Sequence, residues 1–402
     1  MKGFCMNLHS EDTLPMRALL AGARRKERSL LDLTRQLVHA ESPSDDKASV
    51  DACIGLAAAC ARDLGGSVEL HCQNEFGNVL EAHFGAGDAG SDSPAGEAKE
   101  RVLLLGHLDT VWPLGTLKTM PCRLSEGRLW GPGALDMKAG VAMALTSIEM
   151  LREAGLLEHS MNREIVLLLT GDEEAGSPVS RPIIEQLATG CTAVYVLEPA
   201  QGLAYKTARK GIGNWRIDVK GVAAHAGVDF EKGANAILEL ARVVEKVSAW
   251  TDLQRGLTVN VGVVGGGSKS NVIPAEAWAE VDVRIAHKVD GPRIEHKFAL
   301  LEPGDKGCTL TVTGGINRPP MERKRGTLRL YRQARALAAE LGFALDEAAT
   351  GGASDGNFTA ALGVPTLDGM GAVGEGAHAR HESILVEHLA PRTALLAGML
   401  TR

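Results

Sequence analysis

The chain has 402 residues, 45% of them hydrophobic, with 43 basic against 50 acidic side chains and a formal net charge of −7. At roughly 150 residues per domain this length predicts two or three domains with real cores, and the ordinary charged fraction excludes a disordered or fibrous chain. The mild acidic balance gives no electrostatic reason for nucleic acid or an anionic membrane as partner, and no apolar run reaches the roughly 18 residues that span a bilayer. The first residues, MKGFCMNLHSEDTLPM, lack a continuous apolar stretch and a small-residue cleavage site, so an unprocessed, cytoplasmic chain is expected. Apolar residues at helical spacing predict helices over 19–39 and 49–64, with Arg24, Arg25 and Lys26 on a solvated face of the first. Seven cysteines (5, 53, 60, 72, 122, 191 and 308) are scattered and never in a CxxC pair, which favours free thiols in a reducing compartment.

Strands are predicted over 77–84 and 101–111, separated by a Gly-, Ala-, Ser- and acid-rich stretch (85–100) that reads as a mobile surface loop. A helix over 136–155 follows, then a buried strand from 163 running into a loop by 177, then another over 191–199. Buried apolar strands alternating with helices predict an α/β sheet covered on both faces. From Gly211 the order becomes β-α-β-β-α-β, the split βαβ arrangement, in about a hundred residues. After Met321 the earlier style returns, with a helix over 327–341, a strand-like GVPTLDG and a closing helix from 386. The predicted organisation is therefore a first domain in two parts, 1–210 and 322–402, interrupted by a smaller one at 211–321.

The chemistry is concentrated where the buried strands end. RVLLLGHLDTV closes on His107 and Asp109, WGPGALDMKAG places Asp136 at a helix start, LLLTGDEEAGS delivers Asp172, Glu173 and Glu174, and VYVLEP delivers Glu198. GAVGEGAHARHES adds His378 and Glu382 near the end. Ligands of open α/β sheets gather outside the carboxyl ends of strands. Singly, each residue has an ordinary explanation: an N-cap aspartate, a hydrogen-bonded histidine, an exposed glutamate. Jointly they do not, because several carboxylates converging on one pocket repel unless a cation holds them together. Mixed imidazole and carboxylate ligands suit zinc, cobalt or manganese. Five ligands with one shared carboxylate suffice for two ions a few ångströms apart.

The motifs GHLDTV (106–111), LWGPGALDMKAG (129–140), TGDEEAGS (170–177), LEPA (197–200), GVAAHAG (221–227), NVIP (271–274) with DVR (282–284), and GGASDGNF (351–358) resemble those of the M20 metallopeptidases. Within that family they are most similar to the glutamate carboxypeptidase (carboxypeptidase G) group, over nearly the whole chain. The resemblance implies an α/β, di-metal aminopeptidase-like catalytic domain, a mixed sheet with helices on both faces. It also implies that the inserted α+β, ferredoxin-like domain is a lid carrying the interface of a homodimer. It further implies two divalent ions, usually zinc: His107 and Glu198 on one, Glu174 and His378 on the other, and Asp136 bridging. His378 is preferred over His381 because an acid four residues later, Glu382, is the usual spacing. Asp109 matches the acid that fixes the His107 tautomer, and Glu173 matches the general base. In the inserted domain, His225 matches a histidine that stabilises the oxyanion in the partner subunit's site. Asn271 and Arg318 resemble residues gripping a substrate carboxylate, with Lys210 as a looser match.

The implied reaction is hydrolysis of an amide bond to release a C-terminal amino acid from a small substrate with a free carboxylate. N-acyl amino acid deacylation and dipeptide cleavage are the alternatives on the same architecture. A serine hydrolase is the alternative from another class, since Ser354 lies in a formal GxSxG followed by Asp368 and His378. That reading lacks a buried strand before the serine and leaves Asp136, Glu173, Glu174 and Glu198 unexplained. Trp112, beside the metal strand, is either a contact for an aromatic acyl group or a packed side chain.

Overall fold

The computed structural model describes residues 14–85, 100–159 and 163–402. The N-terminal segment with Cys5 and the loop expected between the first two strands lie outside these ranges. Two compact units are present: Met1–Thr207 with Arg323–Ala348 and Leu362–Arg402, and Ala208–Glu322 with Ala349–Ala361. The boundaries fall close to residues 210 and 321. One segment differs from the sequence expectation: 349–361, placed in the resumed first domain, groups with the inserted unit. Its loop is tied there by hydrogen bonds. Thr350 O accepts from Lys210 N–H (3.0 Å), and Asn357 Nδ2 donates to Pro319 O (2.7 Å) and Lys210 O (3.1 Å).

The first unit is built on a six-stranded mixed sheet. Its order is Ser67–His71, Val79–Phe84, Arg163–Thr170, Glu100–His107, Ala193–Val196 and Thr366–Leu367. The last four run parallel, and the first two pair antiparallel at one edge. Val102, Leu103, Leu104 and Leu105 are all buried, and consecutive residues of a strand point to opposite faces. Both faces are therefore covered, each such leucine contributing about 2 kcal/mol. The main core joins this sheet to helices Met16–His39, Lys47–Asp63, Ala139–Glu153, Arg325–Glu340 and Leu389–Thr401. The second of these starts where Asp46 accepts from Ser49 N–H at 2.9 Å, an N-cap that satisfies one orphan donor.

The second unit has four antiparallel strands ordered Thr258–Gly266, Glu276–Ile285, Gly211–Lys220 and Thr309–Arg318, with helices Ala236–Ser248 and Asp290–Ala299. Gly211–Lys220 buries alternate residues, so Trp215, Ile217 and Val219 enter the core with Phe298 stacked 4.3 Å from Trp215. This is the expected β-α-β-β-α-β unit. Among the described residues no helix is long and apolar enough to cross a membrane, and their six cysteines are all free thiols.

Across three neighbouring strands of the first unit's sheet, Val79–Phe84, Arg163–Thr170 and Glu100–His107, runs a ladder of paired charges. Glu81 Oε1 meets His83 Nε2 at 2.6 Å, His83 Nδ1 meets Glu164 Oε1 at 2.6 Å, and Arg101 Nε donates to Glu164 Oε2 at 2.7 Å. Burial opposes charge on His83, but its bonds to Glu81 and Glu164 outweigh this and raise its pKa above 6.5. Burial likewise opposes charge on Glu81 and Glu164, yet their partners hold both below 4.5. The histidine contribution is complete below 6.5 and fades as pH rises through the raised value. The glutamate contributions are complete above 4.5 and fade as pH falls through the lowered values. His83→Gln is therefore expected to destabilise most near about pH 5.5 and progressively less toward about pH 9, as read from urea midpoints.

Candidate metal centre

Three adjacent parallel strands point their carboxyl ends at one place. His107 closes Glu100–His107, Glu173 and Glu174 sit in the turn after Arg163–Thr170, and Glu198 follows Ala193–Val196. Asp136 enters from a kinked turn, Ala134–Lys138, ahead of helix Ala139–Glu153. Gly140, at the start of that helix, lies against the strand that delivers Glu198: a Cβ there would overlap the Leu197 carbonyl oxygen. Only glycine permits that approach, which brings the Asp136 turn beside Glu198.

The histidine and carboxylate atoms converge. His107 Nε2 lies 3.4 Å from Asp136 Oδ1 and 3.8 Å from Glu198 Oε1. His378 Nε2 lies 3.0 Å from Glu174 Oε1 and 3.4 Å from Asp136 Oδ2. Asp136 thus stands between the two imidazoles. Ligand atoms of His107, Glu173 and Glu198 fall within 4.8 Å of one another, as do those of His107, Asp136 and Glu174. His107 Nε2 and Asp136 Oδ1 are buried and make no hydrogen bond. Two such atoms aimed at each other's surroundings are costly unless something else binds them. Imidazole nitrogen and carboxylate oxygen in this number fit one or two divalent transition ions.

The electrostatics agree. Burial opposes charge on His107, yet Asp109 and Asp136 raise its pKa well above 6.5. His378 is pushed up to about 10 by Asp136 and Glu174. Asp136 falls far below the usual carboxylate range against its burial, drawn down by the same two histidines. The pocket is short of positive charge, and in a chain without cations protons on its histidines supply it.

The supporting residues are equally placed. Asp109 accepts from Glu173 N–H (3.2 Å), Glu174 N–H (3.0 Å) and Ser44 Oγ (2.6 Å), with its Oδ1 3.4 Å from His107 Nδ1. His107 Nδ1 is also 3.0 Å from the Asp109 carbonyl oxygen. One carboxylate therefore orients an imidazole and the turn bearing two glutamates. Asp172 accepts from Val179 and Ser180 N–H, bracing the far side of that turn. Lys206 Nζ stands 3.9 Å from Glu198 Oε2.

Glu382 has a role that spacing alone did not disclose. Its carboxylate accepts from the backbone N–H groups of Gly133 (2.9 Å), Leu135 (2.9 Å) and Asp136 (3.1 Å), and from Trp112 Nε1 (2.8 Å). It cradles the Asp136 turn, and Trp112 is part of that cradle. Burial pushes its carboxyl above the usual range against the pull of these donors. Glu382→Gln keeps one accepting oxygen but turns an amide NH2 toward two of the four donors, and is expected to weaken metal binding about 10- to 100-fold. Metal retained after dialysis measures this, with circular dichroism as the check on folding.

The remaining sequence candidates lie in the second unit. His225 is exposed, and its Nδ1 accepts from Gly227 N–H at 3.1 Å. It pairs with Val272 across the short ladder Ala224–His225 and Val272–Ile273, where Asn271 O accepts from Ala226 N–H, so His225 and Asn271 are neighbours. Arg318 is buried, with Nη2 3.0 Å from Asp355 Oδ1 and the guanidinium 5.4 Å from the Phe358 ring centre. Lys210 is half-buried. Ser354 is fully buried, its Oγ accepting from Gly356 N–H at 3.1 Å, the arrangement of a turn rather than of an exposed nucleophile.

The family model for peptidase family M20/M25/M40 matches residues 103–402. The chain belongs to that family. It is a metal-dependent hydrolase of amide bonds. The chain is similar to carboxypeptidase G2 of Pseudomonas sp. (strain RS-16), 29% identical over 393 residues that cover 95% of this chain and 91% of that protein. It is also similar to succinyl-diaminopimelate desuccinylase of Stenotrophomonas maltophilia (strain R551-3), 27% identical, covering 93% and 99%. Among solved structures, aminopeptidase PepT of Bacillus cereus ATCC 10987 shares the fold with a TM-score of 0.74 at 22% identity, covering 93% of this chain and 98% of that one. Metal-dependent hydrolysis leaves no part for Ser354 as nucleophile.

Proposed function

We propose that this hydrolase is a di-zinc carboxypeptidase that releases a C-terminal amino acid, glutamate-type, from an amide. The observation that carries this reading is the strand-end cluster, with His107 Nε2 and Asp136 Oδ1 buried without hydrogen-bond partners. His107 and Glu198 would hold one ion, Glu174 and His378 the other, and Asp136 both. Such ions, when bound, lower the pKa of water and polarise the amide carbonyl. Glu173 takes the proton from the attacking water and passes it to the leaving nitrogen. Asp109 keeps His107 oriented and the Glu173 turn in place. On the substrate side the proposal assigns the oxyanion to His225, acting from the partner subunit of a lid-mediated homodimer, and the carboxylate to Arg318, Asn271 and Lys210.

Deacylation of an N-acyl amino acid is the second reading, favoured by similarity to a desuccinylase over 93% of the chain. The metal-loaded protein assayed on N-acyl glutamates, their amides and N-succinyl amino acids separates the two. The first reading expects kcat/KM to vary most with the C-terminal residue. Dependence chiefly on the acyl group overturns it in favour of the second. Cytoplasmic location goes with the same proposal.

A further inference from the structure

The outermost strands of the first unit's sheet carry a second set of metal-type ligands. It shares no residue with the strand-end cluster, and the Arg163–Thr170 strand separates it from the His107 strand. Ser67–His71 and Val79–Phe84 pair antiparallel with Glu69 directly opposite Glu81. The period-two alternation places Glu69 and His71 on the face that also bears Glu81 and His83. His71 Nε2 lies 2.7 Å from Glu81 Oε2, and His71 Nδ1 lies 4.0 Å from Glu69 Oε1. One ligand atom from each of Glu69, His71 and Glu81 falls within 4.8 Å of the other two.

Two features separate this group from an ordinary surface ion pair. Like charges directly opposite on paired strands destabilise a sheet, and Glu69 faces Glu81 in that way; both imidazoles beside them, His71 and His83, bond Glu81, and only the longer 4.0 Å approach of His71 Nδ1 reaches Glu69. Glu81 is also held from behind: its other oxygen meets His83, His83 meets Glu164, and Glu164 is anchored by Arg101. That chain fixes one carboxylate oxygen toward His71, as the outer partners of metal ligands do. Zinc would need its ligand atoms about 2.0–2.2 Å away. Glu69, 70% exposed, has room to swing to meet it, giving up side-chain rotamer freedom when it does. An imidazole among the ligands selects a zinc-type ion over calcium or magnesium, which prefer oxygen alone.

We propose that Glu69, His71 and Glu81 form an accessory site for a zinc-type divalent cation, which pins the edge strand Ser67–His71 to its neighbour. The full chain, stripped with chelator and dialysed, is titrated with Zn2+ by calorimetry, and bound zinc is counted by plasma mass spectrometry. Wild type is expected to bind one more zinc per chain than His71→Ala, well below millimolar zinc. Glu69→Gln is expected to weaken that last equivalent about 10-fold or more. Hydrolytic activity of both variants is expected to stay at the wild-type level. Equal zinc content in wild type and both variants overturns the site, as does an extra equivalent seen only at millimolar zinc. Displacement by equimolar Ca2+ overturns the ion class. If His71→Ala fails to fold, the exposed Glu69→Gln decides alone. The readout is a difference in bound metal, so it is independent of which amide the enzyme cleaves.

Discussion

Glu173→Gln is expected to lower kcat by about 10²- to 10⁴-fold while leaving the metal content of the protein unchanged. Glutamine fills the same volume but cannot take a proton from water. The backbone of the turn should stay in place, because Glu173 N–H and Glu174 N–H are both held by Asp109. The experiment also discriminates between two roles. Glu173 shares a ligand-distance group with His107 and Glu198, so geometry alone allows it to coordinate. If it coordinates, the glutamine variant loses metal and activity together, and restoring metal in excess rescues part of the rate. If it is the base, metal stays, kcat and kcat/KM fall in parallel, and no added ion helps. Activity within a few-fold of wild type would refute the base assignment.

The strand-end cluster was legible in the sequence for a physical reason. A parallel strand covered on both faces must be continuously apolar, so an ionisable residue can appear only where the strand leaves the sheet. VLLLGH and IVLLLTGDEE announce their own ends in this way, and the positions of His107, Glu173 and Glu174 follow. The inserted unit was legible because its strands alternate, as in NWRIDVK, once one face is open. What could not be read is what depends on register or on distant partners. The edge strand SVELH alternates as NWRIDVK does, but its five residues do not name their partner, and the register that sets Glu69 opposite Glu81 comes only from pairing with Val79–Phe84. The ladder from Glu81 to Arg101 exists only because two strand pairings align those side chains. Glu382 accepts from the turn around Asp136, 246 residues earlier, and Ser44 donates to Asp109 across 65 residues. Neither has a local pattern. Residues 349–361 look like the first unit in composition, and join the second through hydrogen bonds from the Asn357 side chain and the Lys210 backbone that no composition encodes.

Removing the metal is expected to abolish hydrolysis and to lower Tm by about 5 °C for each ion present at a hundred times its Kd. Ligand at that excess stabilises by about 2.7 kcal/mol, and a unit of this size shifts by about 2 °C per kcal/mol. The cause lies in the pocket itself. Asp109, Asp136, Glu173, Glu174 and Glu198 are drawn together there, while His107 Nε2 and Asp136 Oδ1 are buried without hydrogen bonds. Without cations only protons on the histidines offset that charge, and this makes the loss depend on pH. His378 in the stripped chain is pushed up to about 10 from an ordinary 6.5. The stability it supplies is complete below 6.5 and drains away as pH rises through the raised value. The metal-free protein should therefore melt progressively earlier between about pH 7 and pH 10. The loaded protein, whose histidines are held neutral by the ions, should change much less. The gap in Tm between the two forms then widens with pH, and scanning fluorimetry on chelated and reconstituted samples measures it. Equal melting of both forms at every pH would mean that the cluster holds no ion, and activity surviving exhaustive chelation would remove the metal from the reaction.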